Sequence, residues 1–234
     1  LIGGEWIAGA ARFAVADHSV VELRDGATGK IERSLRLEGF TRALAFSPNG
    51  GELARVDDKC RTSVIDPSGA VRVLPPSSAP SPGVLGAVAW DAAGETIASS
   101  CGSVEADPGI ELFTAARSVP ARHFDRPGPP RGHVGSLSFF RGSLYVTTDE
   151  LFVVDPKELA IRERARIGPE RSRTLFFEPS PDSRHLALFH RDHLEIRSSP
   201  RGEPLAKLDG RIDEVRWVDN RHLAASFDHE LFFF

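Results

Sequence analysis

Residues 132–155 read GHVGSLSFFRGSLYVTTDELFVVD. A Gly-His pair leads into a short apolar run around Phe139. The Arg141-Gly142 turn follows, then a second run ending at Thr147-Thr148-Asp149 and a third ending at Val154-Asp155. Short apolar runs separated by Gly and Asp turns, with apolar and polar positions alternating, are the period-2 mark of half-buried antiparallel strands.

The same pattern recurs along the chain. An aromatic residue in a short apolar run falls at Trp6, Phe46, Trp90, Phe139, Phe177 and Trp217, at intervals of 40, 44, 49, 38 and 40 residues. A turn and a small-residue strand follow most of these, as in SPNGGELA, DAAGETIA and PSPDSRHLA. Next comes an aspartate turn with an alternating strand, as in ADHSVVELRD, VDDKCRTSVID and RDHLEIRS. A fourth strand closes most units, for example KIERSLRL and ELAIRERARI. Arg162, Arg164 and Arg166 alternate along the latter, and charge of this kind protects an outer edge from sheet-to-sheet aggregation.

No window shows helical periodicity, so the chain reads as all-β. Repeats of about 40 residues indicate stacked sheets, each of which buries its faces only against its neighbours. The expected architecture is a single-domain β-propeller of about six four-stranded antiparallel blades, at 1–39, 40–82, 83–132, 133–170, 171–210 and 211–234, the last incomplete.

The opening stretch resembles a WD40 repeat. Gly132-His133 stands at the entrance, Phe139 in the inner strand, Thr147 or Thr148 and Asp149 at the second turn, and Val153-Val154-Asp155 where that family has its Trp-Asp ending. In the family a His, a Ser/Thr, the turn Asp and the Trp share a hydrogen-bonded network inside the blade. The resemblance implies that His133, Thr147 and Asp149 hold three of those positions and that Val154 replaces the Trp. Gly39-Phe40 and Gly210-Arg211 stand where other units would carry Gly-His. The resemblance spans nearly the whole chain and selects no subfamily.

A net charge of -4 argues against a protein built to neutralise phosphates, so direct contact with nucleic acid is not expected. No apolar run approaches the ~18–20 residues of a membrane span, and no membrane role is expected. Cys60 and Cys101 are too few for a disulfide framework and lack zinc-site spacing, which points to a reducing, cytoplasmic setting. The chain starts at Leu1 and contains no Met, so trimmed termini are expected.

Candidate chemistry is sparse. Asp17-His18, Asp192-His193 and Asp228-His229 occupy equivalent turns. Aspartate caps tight turns through backbone N–H groups, and one role repeated is not a set of converging catalytic roles. No catalytic residue, cofactor, metal site or small-molecule substrate is expected.

Departures from the repeat carry more information about function. PPSSAPSP (Pro75 to Pro82), CGSVEADPG (Cys101 to Gly109) and RPGPPRG (Arg126 to Gly132) are insertions. In a WD40-like blade the inter-blade connections and the turns between second and third strands share one face, which gathers all three around blade 3. Pro75, Pro76, Pro80, Glu105, Asp107, Arg126 and Arg131 are therefore the candidate partner-binding residues, since loops on a rigid scaffold commonly carry recognition. At the C-terminus the run Leu231, Phe232, Phe233 and Phe234 ends a blade that lacks its fourth strand. An apolar edge of this kind invites strand addition by another chain; trimmed termini and a three-stranded last blade are the other readings.

The leading expectation is a non-enzymatic scaffold for protein–protein interaction, a subunit or domain of a larger assembly. A propeller enzyme or small-ligand sensor using His18, His193 and His229 in the central channel is the alternative. Binding of nucleic acid or an anionic surface through Arg-rich loops is the second.

Overall fold

The computed structural model describes residues 3–6, 12–26, 28–76, 85–102, 109–116, 119–125, 134–148, 150–165, 174–180, 182, 184–190, 192–198, 203–210, 212–217, 221–227 and 230–233. Their regular structure is entirely β. Among them no helix is long and apolar enough to cross a membrane.

Five sheets are four-stranded antiparallel meanders in chain order, because short connections fold each strand back on the one before it. The first holds β1 (Gly3–Trp6), β2 (Arg12–Asp17), β3 (Val20–Asp25) and β4 (Ile31–Arg36). The second holds β5 (Thr41–Phe46), β6 (Leu53–Asp57), β7 (Thr62–Ile65) and β8 (Val71–Val73). The third holds β9 (Leu85–Trp90), β10 (Thr96–Gly102), β11 (Ile110–Thr114) and β12 (Arg122–Phe124). The fourth holds β13 (Ser136–Phe140), β14 (Ser143–Thr147), β15 (Leu151–Asp155) and β16 (Ala160–Ala165). The fifth holds β17 (Thr174–Pro179), β18 (Leu186–His190), β19 (His193–Arg197) and β20 (Ala206–Asp209).

The remaining strands, β21 (Ile212–Trp217), β22 (Leu223–Phe227) and β23 (Glu230–Phe233), form a three-stranded sheet. The expectation of about six blades, the last incomplete, is thus corrected to five four-stranded blades, with the last three strands in a smaller sheet of their own.

Two compact units divide the chain, Leu1–Leu137 and Ser138–Phe234. In the first, Ala14, Ala16 and Val21 of blade 1 pack with Leu53 and Ile65 of blade 2. The opposite face of blade 2, with Ala54, Val56 and Val64, packs with Val88, Trp90, Ile97 and Phe113 of blade 3. In the second unit, Phe140, Tyr145, Leu151 and Val153 of blade 4 meet Phe177, Leu186 and Leu188 of blade 5. The other face of blade 5 meets Val215, Trp217 and Leu223 of the three-stranded sheet. Middle strands covered on both faces are buried at every position, as in β6, β15 and β18, whereas β4 and β8 are largely exposed. The fourth strand is accordingly the edge. On β16, Arg162 pairs with Asp155 and Arg164 with Glu150; Arg166 lies outside the described residues.

Of the adjacent aromatics on β13, Phe140 is 2% exposed and Phe139 is half-buried; alternation puts them on opposite faces of the sheet.

Turns at the end opposite the inter-blade connections are closed by aspartate. Asp66 accepts from the backbone N–H groups of Ser68 and Ala70 at 2.8 and 3.0 Å and from the Ser68 hydroxyl at 2.6 Å. Asp155 accepts from Lys157 and Glu158 at 2.7 and 3.0 Å. These turns are short, and Arg33 Nη1 of β4 donates to the Pro67 carbonyl of the first.

Candidate functional site

Blades 1 and 2 build a rim at the end of the sheets that carries the inter-blade connections. The connection 37–40 is stitched to both neighbouring turns by main-chain bonds. Leu37 N donates to Ser19 O at 2.7 Å, Thr41 N to His18 O at 2.7 Å, and Asp58 N to Phe40 O at 2.9 Å. Phe40 N donates in return to Asp58 Oδ1 at 3.0 Å. Gly39 makes this approach possible, since its φ is 74° and a Cβ there would lie 2.6 Å from Asp58 Oδ1.

Beneath the rim sits Arg55, 3% exposed. Its Nη2 donates to the carbonyls of Glu38 and Gly39, both at 2.9 Å, and its Nε donates to Thr41 Oγ1 at 2.9 Å. Burial pulls its pKa down, and the carboxylate of Asp57, 3.8 Å away, opposes that shift. Asp57, 1% exposed, accepts from Lys59 N and Arg61 N at 2.9 Å and from Arg61 Nε at 2.7 Å. A buried guanidinium and a buried carboxylate, each multiply bonded, hold the backbone above them in one conformation.

Cys60, in the β6–β7 turn, forms a disulfide with Cys101 of β10, with the Cα atoms 5.3 Å apart. This corrects the expectation of two reduced thiols. The physical reason is the repeat itself: 41 residues separate the two cysteines, about one blade, so they meet on adjacent sheets.

The groups presented to solvent on this support are Phe40, His18, Glu38, Lys59 and Arg61. Phe40 is 45% exposed. The His18 ring meets it edge-on with centroids 5.3 Å apart, and His18 Nδ1 lies 2.6 Å from Asp17 Oδ1. Glu38 accepts from Lys59 Nζ at 2.8 Å and Arg61 Nη1 at 3.2 Å, and these bonds hold its carboxyl below its ordinary pKa. Arg61, bonded to Asp57, is raised. Exposed pairs of this sort contribute little stability. Their consequence is an aromatic surface bordered by charge of both signs.

No family model matches the chain, and no curated protein matches it. Solved structures do. A hydrazine synthase of Kuenenia stuttgartiensis aligns at 13% identity over 95% of this chain and 72% of that one, with a TM-score of 0.73. The β-propeller domain of Cps50 (Swd1) of Myceliophteria thermophila aligns at 16% identity over 96% and 79%, with a TM-score of 0.70. The fold is a WD40-like β-propeller. At these identities the likeness carries the fold and nothing more of either protein.

Within this propeller the expected loop residues are placed in part. Pro75 follows β8, and its carbonyl accepts from Ala121 N at 3.0 Å, tying the blade 2–3 connection to blade 3. Pro76 is half-buried. Pro80, Glu105, Asp107, Arg126 and Arg131 lie outside the described residues. So do His133 and Asp149 of the intra-blade network, whose third member, Thr147, is buried at the end of β14. Leu231, Phe232 and Phe233 lie on β23, which among the described residues pairs only with β22; Phe234 lies outside them.

The three Asp-His turns are not alike. His18 is exposed on the rim of unit 1. His193 in blade 5 is 8% exposed, with its Nδ1 2.8 Å from Asp192 Oδ1. His229 lies outside the described residues. Phe40 is the group that composition missed; its signal was its place in Gly39-Phe40, the position of the Gly-His pair.

Proposed function

We propose that the chain is a protein-binding scaffold whose partner docks on the rim of blades 1 and 2. The observation that carries this reading is Phe40: a large apolar side chain exposed on a backbone fixed by Asp58, Arg55 and the Cys60–Cys101 bond. An aromatic anchor beside arginine is the usual composition of an interface hot spot, and a surface ordered in advance loses little entropy on docking. The connection that begins at Pro75 and Pro76 leaves the same end of its sheet. From their place in the sequence, Glu105 and Asp107, between β10 and β11, and Arg126 and Arg131, between β12 and β13, remain proposed partner-binding residues. We read the three-stranded sheet as a sixth blade. The disulfide supports an oxidising compartment in place of the cytoplasm. The enzyme reading has a precedent in fold alone.

The test uses the full chain, immobilised and exposed to an extract of its source cells, with retained proteins identified and the best then purified. Phe40→Ser and the double change Lys59→Glu, Arg61→Glu should each weaken its Kd by at least about 10-fold. Unaltered affinity in both would remove the rim from the interface.

A further inference from the structure

Strand register gathers three metal-binding donors on one face of blade 5. β18 and β19 pair as Leu188↔Glu195 and Phe189↔Leu194; one step further along the ladder, His190 stands opposite His193. Period-2 alternation then places Leu188 and His190 on the same face as His193 and Glu195. That face packs toward blade 4, where Leu186 and Leu188 join Phe140, Tyr145 and Leu151. The opposite face takes Phe189 and Leu194 into the apolar cluster with Trp217. His190, His193 and Glu195, at 1%, 8% and 9% exposure, therefore share a face with Leu186, Leu188 and Arg197.

The donor atoms converge. His193 Nε2 lies 3.3 Å from Glu195 Oε1, and His190 Nε2 lies 3.9 Å from Glu195 Oε2. The two imidazoles stack with centroids 4.2 Å apart, and one ligand atom from each of the three residues falls within 4.8 Å of the others. Donors bound tetrahedrally to zinc at 2.0–2.1 Å stand about 3.4 Å from one another, so a small inward rotation closes the set. The second layer of groups also fits. Asp192 Oδ1 engages Nδ1 of His193, which leaves Nε2 to point at the shared centre, the usual way a carboxylate orients a ligating imidazole. Arg197 Nε donates to Glu195 Oε2 at 2.8 Å and supports an ionised carboxylate whose other oxygen faces His193.

We propose that His190, His193 and Glu195 form a binding site for a divalent transition-metal ion, with zinc the best match to two imidazoles and one carboxylate. The motif in the chain is His-x-x-His-x-Glu, and the antiparallel pairing of β18 with β19 turns that spacing into convergence. The site is independent of the partner-binding rim, which lies in the other unit.

The experiment titrates the metal-stripped full chain with Co²⁺ and then with Zn²⁺. Visible ligand-field bands should appear with one equivalent of Co²⁺ and be displaced by Zn²⁺, and zinc should raise the thermal midpoint in a way that chelator reverses. Glu195→Gln and His193→Gln, each checked for retained β signal by circular dichroism, should weaken Co²⁺ binding by at least about 100-fold, and Asp192→Asn by about 10-fold. His18→Gln should bind as the parent does. A folded parent chain without bands overturns the assignment, as do bands unaltered in both the Glu195 and His193 variants.

Discussion

The indole Nε1 of Trp90, the last residue of β9, donates to the backbone carbonyl of Ala45 in β5, one blade earlier, at 2.9 Å. Trp217 makes the equivalent bond to the carbonyl of Glu178 at 3.1 Å. The recurring aromatic therefore does more than fill space: where it is tryptophan, it pins one sheet to the next. Trp90→Phe keeps most of the apolar area and removes the indole donor from the Ala45 carbonyl. It should cost about 0.5–1.5 kcal/mol in urea denaturation, and no loss would mean that the bond adds nothing beyond packing.

Arg55 bonds three groups of the 38–41 segment from below. Removing it leaves the Glu38 and Gly39 carbonyls without that donor and Asp57 with Arg61 as its remaining cation. Arg55→Met should lower stability by on the order of 3 kcal/mol. Arg55→Lys should recover little of it, because an ammonium cannot reproduce the planar fork that reaches Glu38 O, Gly39 O and Thr41 Oγ1 together. Full rescue by lysine would show that charge, not shape, is what the rim requires.

The Cys60–Cys101 link closes a loop of about 41 residues. Chain entropy assigns such a link roughly 4 kcal/mol of stability. Denaturation with and without reductant should differ by about that amount, and Cys60→Ser should match the reduced parent. Two titratable thiols in the untreated folded chain would contradict the bond.

Asp66 shows a pH dependence with a definite sign. The Ser68 hydroxyl, followed by the amides of Ala70 and Ser68, holds its carboxyl below the ordinary value. Its folded-state pKa is thus lower than its unfolded one. The stability it contributes is present above the unfolded pKa of about 4 and is lost as pH falls through the folded value. Asp66→Asn should flatten the acid limb of a denaturation midpoint measured against pH, leaving the neutral region nearly parallel to that of the parent. An unchanged acid limb would remove this turn from the acid response.

How far the chain could be read without coordinates follows from the range of each interaction. Turn chemistry and strand alternation act between residues a few positions apart, so the aspartate turns, the inner aromatics and the charged outer strand β16 are legible in the letters. The repeat interval then implies stacked sheets, and with them the propeller. The functional surfaces depend on longer distances. Phe40 reads as a broken copy of Gly-His until the fold shows it exposed beside His18. The pairing of Cys60 with Cys101 needs two adjacent sheets brought into line.

His190 and His193 sit three apart in the chain, yet their shared face depends on the number of residues in one turn. A single added residue there would send His193 to the other side of the sheet. Residue types and their periods determine that this chain makes propeller blades. Which side chains meet, at the rim and in the seam of blade 5, is decided by register and by blade-to-blade packing, because convergence is a property of three-dimensional distance and a repeat specifies only order.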